Sequence, residues 1–332
     1  MMMNLRVQKS QSVFELSDDK TNQVKAFLLR HNLVIALAVL VSLMTILFPE
    51  IIFSRGVLLS FLHMSTILGI LTLGQAIVIL TGGIDLSNGT IVGLTSILGA
   101  WIALSYGLSI ILIGTLIVCL SLGFLSGLLI TRIGFPPLIG TLVAMSVAEG
   151  ITLSLTGGAP LALNNDTLRW FGRADMGGVP LYSLIWFGLV ISLYLFLTGS
   201  VFGRHLYAVG GSERTAFVCG INTKRTKVSV YVISAVLAWI AGIIYLCYTA
   251  SGAPRAGGFL YMLDSVSATV IGGISLYGGR GNILDATLGT MFFALLYITV
   301  IFLNVSPVLE GAFRGTLLLA VVLYAFLREK RR

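Results

Sequence analysis

Between Gly56 and Thr131 the chain carries one charged side chain, Asp85. A soluble domain draws about a quarter of its residues from Asp, Glu, Lys and Arg, so this stretch cannot be a water-facing surface. The whole 332-residue chain follows the same pattern, at 10% charged and 57% hydrophobic. In hydrocarbon every backbone polar group must be satisfied within the protein, and apolar runs of about 20 residues form spanning helices. The chain therefore reads as all-α and polytopic. An ionisable group among such runs is costly, and by default it is a functional hypothesis.

Asp85 lies in Gly82-Gly83-Ile84-Asp85-Leu86-Ser87-Asn88-Gly89, and the frame returns as Gly272-Gly273-Ile274-Ser275-Leu276-Tyr277-Gly278-Gly279. The chain has 38 glycines, so a single match would carry little. Two copies of G-G-I-x-L-x-x-G at span boundaries predict two broken helices built to one plan, as transporters often have. Glycine permits the break and the close approach of backbones.

Ten spans are expected, at about 31–49, 57–80, 90–106, 108–130, 135–156, 181–201, 228–250, 262–276, 283–303 and 312–327. They form one transmembrane domain over 31–327, preceded by a polar segment 1–30 and followed by a basic tail 328–332. The eighth span is short and holds several serines and threonines, but without it the basic tail would face outward. With the N-terminus inside, the inner segments hold Arg6, Lys9, Lys20, Lys25, Arg30, Arg132, Arg204, Arg214, Lys224, Arg225, Lys227, Arg280, Arg328, Lys330, Arg331 and Arg332. The outer segments hold Arg55, Arg169, Arg173, Arg255 and Arg314. This bias places both termini in the cytoplasm, so the net charge of +8 reflects topology and does not indicate nucleic-acid binding.

Two connectors are long. The outer one, Gly157 to Pro180, contains Asp166, Arg169, Trp170, Arg173 and Asp175. The inner one, from about Phe202 to Lys227, predicts a short amphipathic helix that starts at Ser212 as N-cap and closes at Gly220.

Several chemistries are excluded or weakened. No lysine follows a glycine, so the phosphate-cradling G-x-x-x-x-G-K-[ST] loop is absent. His31, His63 and His205 are too scattered for a metal pair, and Cys119, Cys219 and Cys247 form no paired motif. No G-x-S-x-G elbow occurs, and residues 1–30 show no cleavable leader pattern. An enzyme is disfavoured, and no cofactor or metal is expected in the chain. A transport protein remains.

Three groups of residues carry a resemblance. They are Gly74-Gln75-Ala76 with Ile79-Leu80-Thr81 and the first glycine frame; Tyr207-Ala208-Val209-Gly210-Gly211 with Cys219-Gly220-Ile221; and Val270-Ile271 leading into the second frame. In order and spacing, over about residues 33–327, the chain resembles the ribose-type permeases of ABC importers. The resemblance implies a bacterial inner-membrane subunit that pairs with a second permease, identical or related. It also implies two ATP-binding subunits, which use ATP and Mg, and an extracytoplasmic sugar-binding protein. On that reading Gln75, Asp85, Ser87, Asn88 and Glu149 are candidates for the solute pathway, and Ser212, Glu213, Arg214, Thr215, Ala216 and Gly220 for the loop that couples to the ATPase. Asn88, Ser212 and Glu149 depart from the family pattern, which more often has a small apolar residue, Asn and Arg there.

Structural roles account for the same residues. Asp85 can cap a helix beginning near Ser87, Gln75 can satisfy a backbone carbonyl, and Glu149 can reach the outer interface or pair with a loop arginine. An ion-coupled secondary transporter, with Asp85 and Glu149 binding the ion, is the competing function.

Overall fold

A computed structural model describes residues 32–304 continuously, and beyond them residues 306, 309, 311, 312, 315, 316, 319, 320 and 323. The expected segment 1–30, most of the tenth span and the tail 328–332 lie outside the described residues.

The chain runs through α1 (Asn32–Leu47), α2 (Arg55–Leu80), α3 (Asn88–Ile102), α4 (Leu108–Leu128, continued by a wider turn to Ile133) and α5 (Pro137–Thr156). Next come β1 (Leu161–Ala162), α6 (Asp166–Arg173), the hairpin β2 (Asp175–Met176) and β3 (Val179–Pro180), and α7 (Leu181–Gly199). The remainder is α8 (Val201–Gly211), α9 (Glu213–Val218), α10 (Thr223–Thr249), β4 (Ser251–Gly252), α11 (Gly258–Ile271) and α12 (Ile283–Phe302). Among the described residues α2, α4, α5, α7, α10 and α12 are long and apolar enough to cross a membrane. The shorter apolar helices α1, α3 and α11 have 16, 15 and 14 residues. At 1.5 Å per residue they reach about 21–24 Å, less than the roughly 30 Å of hydrocarbon. The protein is an all-α multi-pass membrane protein.

Turn chemistry sets the helix ends. Ser54 and Asn282 cap α2 and α12 by accepting the Val57 and Leu284 amides. The hairpin between β2 and β3 turns on Gly177 and Gly178, both at positive φ. β1 pairs antiparallel with β4, Leu161 opposite Gly252, and so ties the outer connector to the end of α10. Both long connectors hold more helix than expected. α6 is capped by the Asn165 side chain, which accepts the Leu168 amide at 3.0 Å. α8 is capped by Ser200 through the Gly203 amide, also at 3.0 Å.

The core is built on α2 and α10. From Ser65 to Leu80 every residue of α2 is buried, because α10, α12, α11 and α7 pack around it. A helix enclosed on all sides has no polar stripe, and this half of α2 has none.

A helix ends at each glycine frame, α2 at Leu80 and α11 at Ile271. After Gly82 (φ +76°) the chain turns back along α2, and the Gly83 amide bonds the Val78 carbonyl at 3.1 Å. The Asp85 carboxylate reaches Ser234 Oγ, which also lies against Gly74. Gly74 is six residues before the end of α2, about 9 Å back along the helix. α3 therefore begins inside the bundle. From the other side, Ala250 (φ +51°) reverses the chain after α10, and residues 251–257 descend along α3. Gly252 abuts the Ser96 carbonyl and Gly257 the Gly89 carbonyl, contacts that leave no room for a Cβ. α11 then starts against Gly89. The eighth segment thus forms a helix over Gly258–Ile271, earlier than the expected 262–276, because Gly257 (φ +74°) starts it and Gly272-Gly273 ends it. α3 likewise starts at Asn88 and stops at Ile102, short of the expected 106.

Candidate functional site

The three glycine motifs meet at one end of the bundle, the end that carries Arg132, Arg204, Arg214, Lys224, Arg225, Lys227 and Arg280. The Gly279 amide donates to the Leu80 carbonyl at 2.9 Å. A Cβ on Gly210 would collide with the Leu80 carbonyl and the Gly279 amide. A Cβ on Gly278 (φ +85°) would sit 2.8 Å from the Gly82 amide and 2.9 Å from the Gly210 carbonyl. Tyr207 clamps the assembly by donating its hydroxyl to the Gly281 carbonyl at 3.0 Å. Burial, with the Asp285 carboxylate adding to it, pushes the Tyr207 phenol above its usual range, so the donor stays protonated. Gly82, Gly278 and Gly279 therefore serve one backbone junction with Gly210, while Gly83 packs on Tyr231, Gly272 packs on Asp285 and Ala286 of α12, Gly273 turns the chain at φ +98°, and Gly89 serves the contact between α3 and α11.

α9 projects from this junction. Ser212 caps it, accepting the Thr215 amide at 3.2 Å. Gly220 (φ +83°) closes it, with the Ile221 amide on the Ala216 carbonyl and the Gly220 amide on the Phe217 carbonyl. The Lys227 ammonium pairs with Glu213 and fastens α9 to α10. Arg214 stands exposed on the same helix. Ala216 faces inward at 3% exposure, whereas Phe217 and Val218 stand out at 69% and 78%. Of the apolar residues of the expected amphipathic helix, Phe217 and Val218 thus face outward and Ala216 inward.

Gln75, Asp85, Ser87 and Asn88 come together, all at 0–1% exposure. One Asp85 oxygen accepts the Ser87 amide at 2.8 Å and the Ser87 hydroxyl at 2.6 Å; the other accepts Ser234 Oγ at 2.7 Å. The carboxylate thus sits at the start of α3, where the helix dipole favours negative charge. The Gln75 amide spans the Asp85 backbone, donating to its carbonyl at 3.0 Å and accepting its amide at 3.2 Å. The Asn88 amide lies 3.1 Å from that of Gln75 and 3.4 Å from Ser265 Oγ on α11. This cluster joins α2, α3, α10 and α11 inside the chain. Ser234 and Ser265 were missed in the sequence, because a lone serine in an apolar span carries no sign of its partner.

Glu149 is elsewhere. It lies on the exposed face of α5 with Ser146 and Gly150, among exposed Leu142, Val143, Val147 and Leu153.

The family described as the permease component of branched-chain amino acid transport systems matches residues 57–322. The ribose import permease protein RbsC of Escherichia coli strain K12 is 32% identical over 306 residues, 90% of this chain and 94% of that protein. RbsC of Bacillus subtilis strain 168 is 36% identical over 299 residues, 87% of this chain and 90% of that protein. The fructose import permease protein FrcC of Rhizobium meliloti is 30% identical over 283 residues, 81% and 78% of the two chains. No solved structure matches the chain. With the family match spanning most of its length and near-complete relatives above 30% identity, the chain belongs to the ABC importer permease family that includes the ribose permeases.

Proposed function

We propose that the chain forms the translocation pathway of an ATP-driven importer for a sugar or similar neutral polyhydroxylated solute. The observation that carries the coupling is α9: it follows directly on α8, whose Gly210 packs against both glycine loops at Leu80 and Gly279, and it presents exposed Phe217 and Val218. A self-contained carrier has no need of such an element. A permease that borrows ATP from partner subunits does. In this reading two ATP-binding subunits sit beneath α9, and ATP and Mg are theirs. Their closure moves α9, and the glycine junction passes the motion to the starts of α3 and α12.

The basic end is cytoplasmic by the positive-inside bias. α1 begins there, and a tenth span over about 312–327 returns the C-terminus to it. Glu149 on the open face of α5 is too costly to leave in lipid, so it faces a second permease, identical or related, across the pathway. Asp85, Gln75, Ser87 and Asn88 shape that pathway from behind.

The cargo follows from the ribose and fructose relatives and from the scarcity of buried charge. A zwitterionic amino acid would require a charge of each sign. The buried charged residues of the described spans are Asp85 and Asp264, both acidic, and the Asp85 oxygens are committed to Ser87 and Ser234. An extracytoplasmic sugar-binding protein delivers the solute to the other end, at the segment 164–175.

Uptake of D-ribose, D-fructose and L-leucine by proteoliposomes containing the assembled transporter and binding protein tests this reading. Sugar uptake blocked by vanadate and indifferent to an uncoupler is expected. Uptake that survives vanadate and collapses with the uncoupler would establish the ion-coupled carrier instead.

A further inference from the structure

A cavity of about 320 Å³ opens at the end opposite the glycine junction, where the start of α2, the end of α6, the β2–β3 hairpin, the start of α7 and the end of α10 converge. Arg55, Arg173, Asp175, Ser60, Tyr182 and Tyr248 line it. Its volume falls in the range of small-molecule sites, about 300–1,000 Å³.

Three features define what it can hold. First, neither arginine is engaged in an ion pair with Asp175 or any other acid among the described residues. Charges of both signs therefore stand around one space without meeting across it. Second, one Asp175 oxygen accepts the Gly178 amide at 3.2 Å, which fixes the carboxylate and leaves its second oxygen to a ligand. Third, the apolar wall is aromatic and rigidly backed. The Tyr182 and Tyr248 rings meet edge to face at 5.8 Å, and the His63 ring stacks behind Tyr248 at 3.4 Å. Gly172 sets this geometry, since its close packing on the Cys247 carbonyl leaves no room for a Cβ between α6 and α10.

We propose that this cavity is a binding subsite of the permease itself for a monosaccharide. A guanidinium only donates hydrogen bonds and a carboxylate only accepts them, whereas a hydroxyl does both. Adjacent hydroxyls of one sugar can accept from Arg55 and Arg173 while donating to Asp175, and its C–H face can lie on the tyrosine rings. A simple anion would satisfy the arginines and oppose Asp175. An amino acid could bridge both charges, but the sugar is favoured because the proposal rests on the sugar-import reading above.

The test uses the permease assembled with its ATPase subunits in lipid nanodiscs, without the binding protein. Proteoliposome uptake first identifies which of D-ribose and D-fructose is carried, and that radiolabelled sugar is the probe for equilibrium binding. Saturable binding is expected without the binding protein. Asp175→Asn and Arg173→Gln should weaken it about tenfold, the scale of a lost hydrogen bond to a charged group. Tyr248→Leu should weaken it similarly, Tyr248→Phe should retain it, and L-leucine should not displace it. Sugar uptake without saturable binding overturns the subsite and leaves the import reading intact. Binding that is unchanged by Asp175→Asn and Arg173→Gln, or displaced by L-leucine, also overturns it. If neither sugar is taken up, the sugar reading fails and the subsite falls with it.

Discussion

The Asp85 carboxylate accepts two hydrogen bonds from Ser87 and one from Ser234, all at 2.6–2.8 Å. An unpaired carboxylate in so enclosed a place would be too costly to keep, so the two serines explain how the residue is retained. Asp85→Asn keeps an oxygen for the Ser87 amide, while its NH2 can turn to Ser234. The loss is then one charge-assisted bond, about 1.5–3 kcal/mol at most, and transport should fall a few-fold. Asp85→Leu strands the Ser87 amide and two hydroxyls at about 1–3 kcal/mol each. It should leave little assembled transporter. Thermal unfolding and ATP-driven uptake in vesicles without an ion gradient distinguish these outcomes. If wild-type uptake stops without a gradient and Asp85→Asn loses its ion dependence, Asp85 is an ion ligand and the import reading is wrong.

At the scale of one element, α9 separates two roles that look alike on paper. Ala216 and Gly220 are small residues in the predicted coupling helix, and smallness suggests close approach to a partner. The fold gives Ala216 a different task, because its methyl group packs inward. Gly220 is small because of its positive φ, since a Cβ there would meet nothing within 4 Å. Phe217→Ser and Val218→Ser should therefore uncouple: sugar-stimulated ATPase activity should drop several-fold while insertion and assembly persist. Ala216→Trp should act on stability, through overpacking of about 1–3 kcal/mol. Wild-type stimulation in the Phe217→Ser, Val218→Ser double variant would remove α9 from the coupling route.

Across the whole molecule, the two ends present different surfaces. The basic end presents α9, and the opposite end presents α6, with Trp170 at 67% exposure and Met176 at 65% in the hairpin that follows. An exposed tryptophan beside charges of both signs suits a docking surface, where aromatic anchors carry much of the affinity and charges steer encounter. Trp170→Ala should weaken docking of the binding protein about thirtyfold, the roughly 2 kcal/mol of a hot spot. Added salt should weaken wild-type docking further. Unchanged affinity in both measurements would exclude this face. Direct sugar binding to the permease should be indifferent to Trp170→Ala, because Trp170 is not part of the cavity wall.

Membrane class, the six long apolar helices, the helix ends at the two glycine frames and the short capped helix from Ser212 to Gly220 were legible in the sequence. Each depends on local rules: apolar run length, the φ freedom of glycine, and capping by Ser or Asn. The residues of the Asp85 cluster were also legible as unusual, since a charge among apolar spans stands out. What they touch was not. Ser234 is 149 positions from Asp85 and Ser265 is 177 from Asn88. The glycine frames at 82 and 278 reveal nothing of their shared junction with Gly210. Contacts at such separations depend on how the helices pack, and a single sequence does not encode which faces meet in any local pattern. Tertiary structure alone decided that Gln75, Asp85, Ser87 and Asn88 lie inside the chain while Glu149 lies on its surface. A periodicity of 3.6 locates a polar face only when the rest of the helix is apolar on one side and polar on the other, and membrane helices are apolar all round.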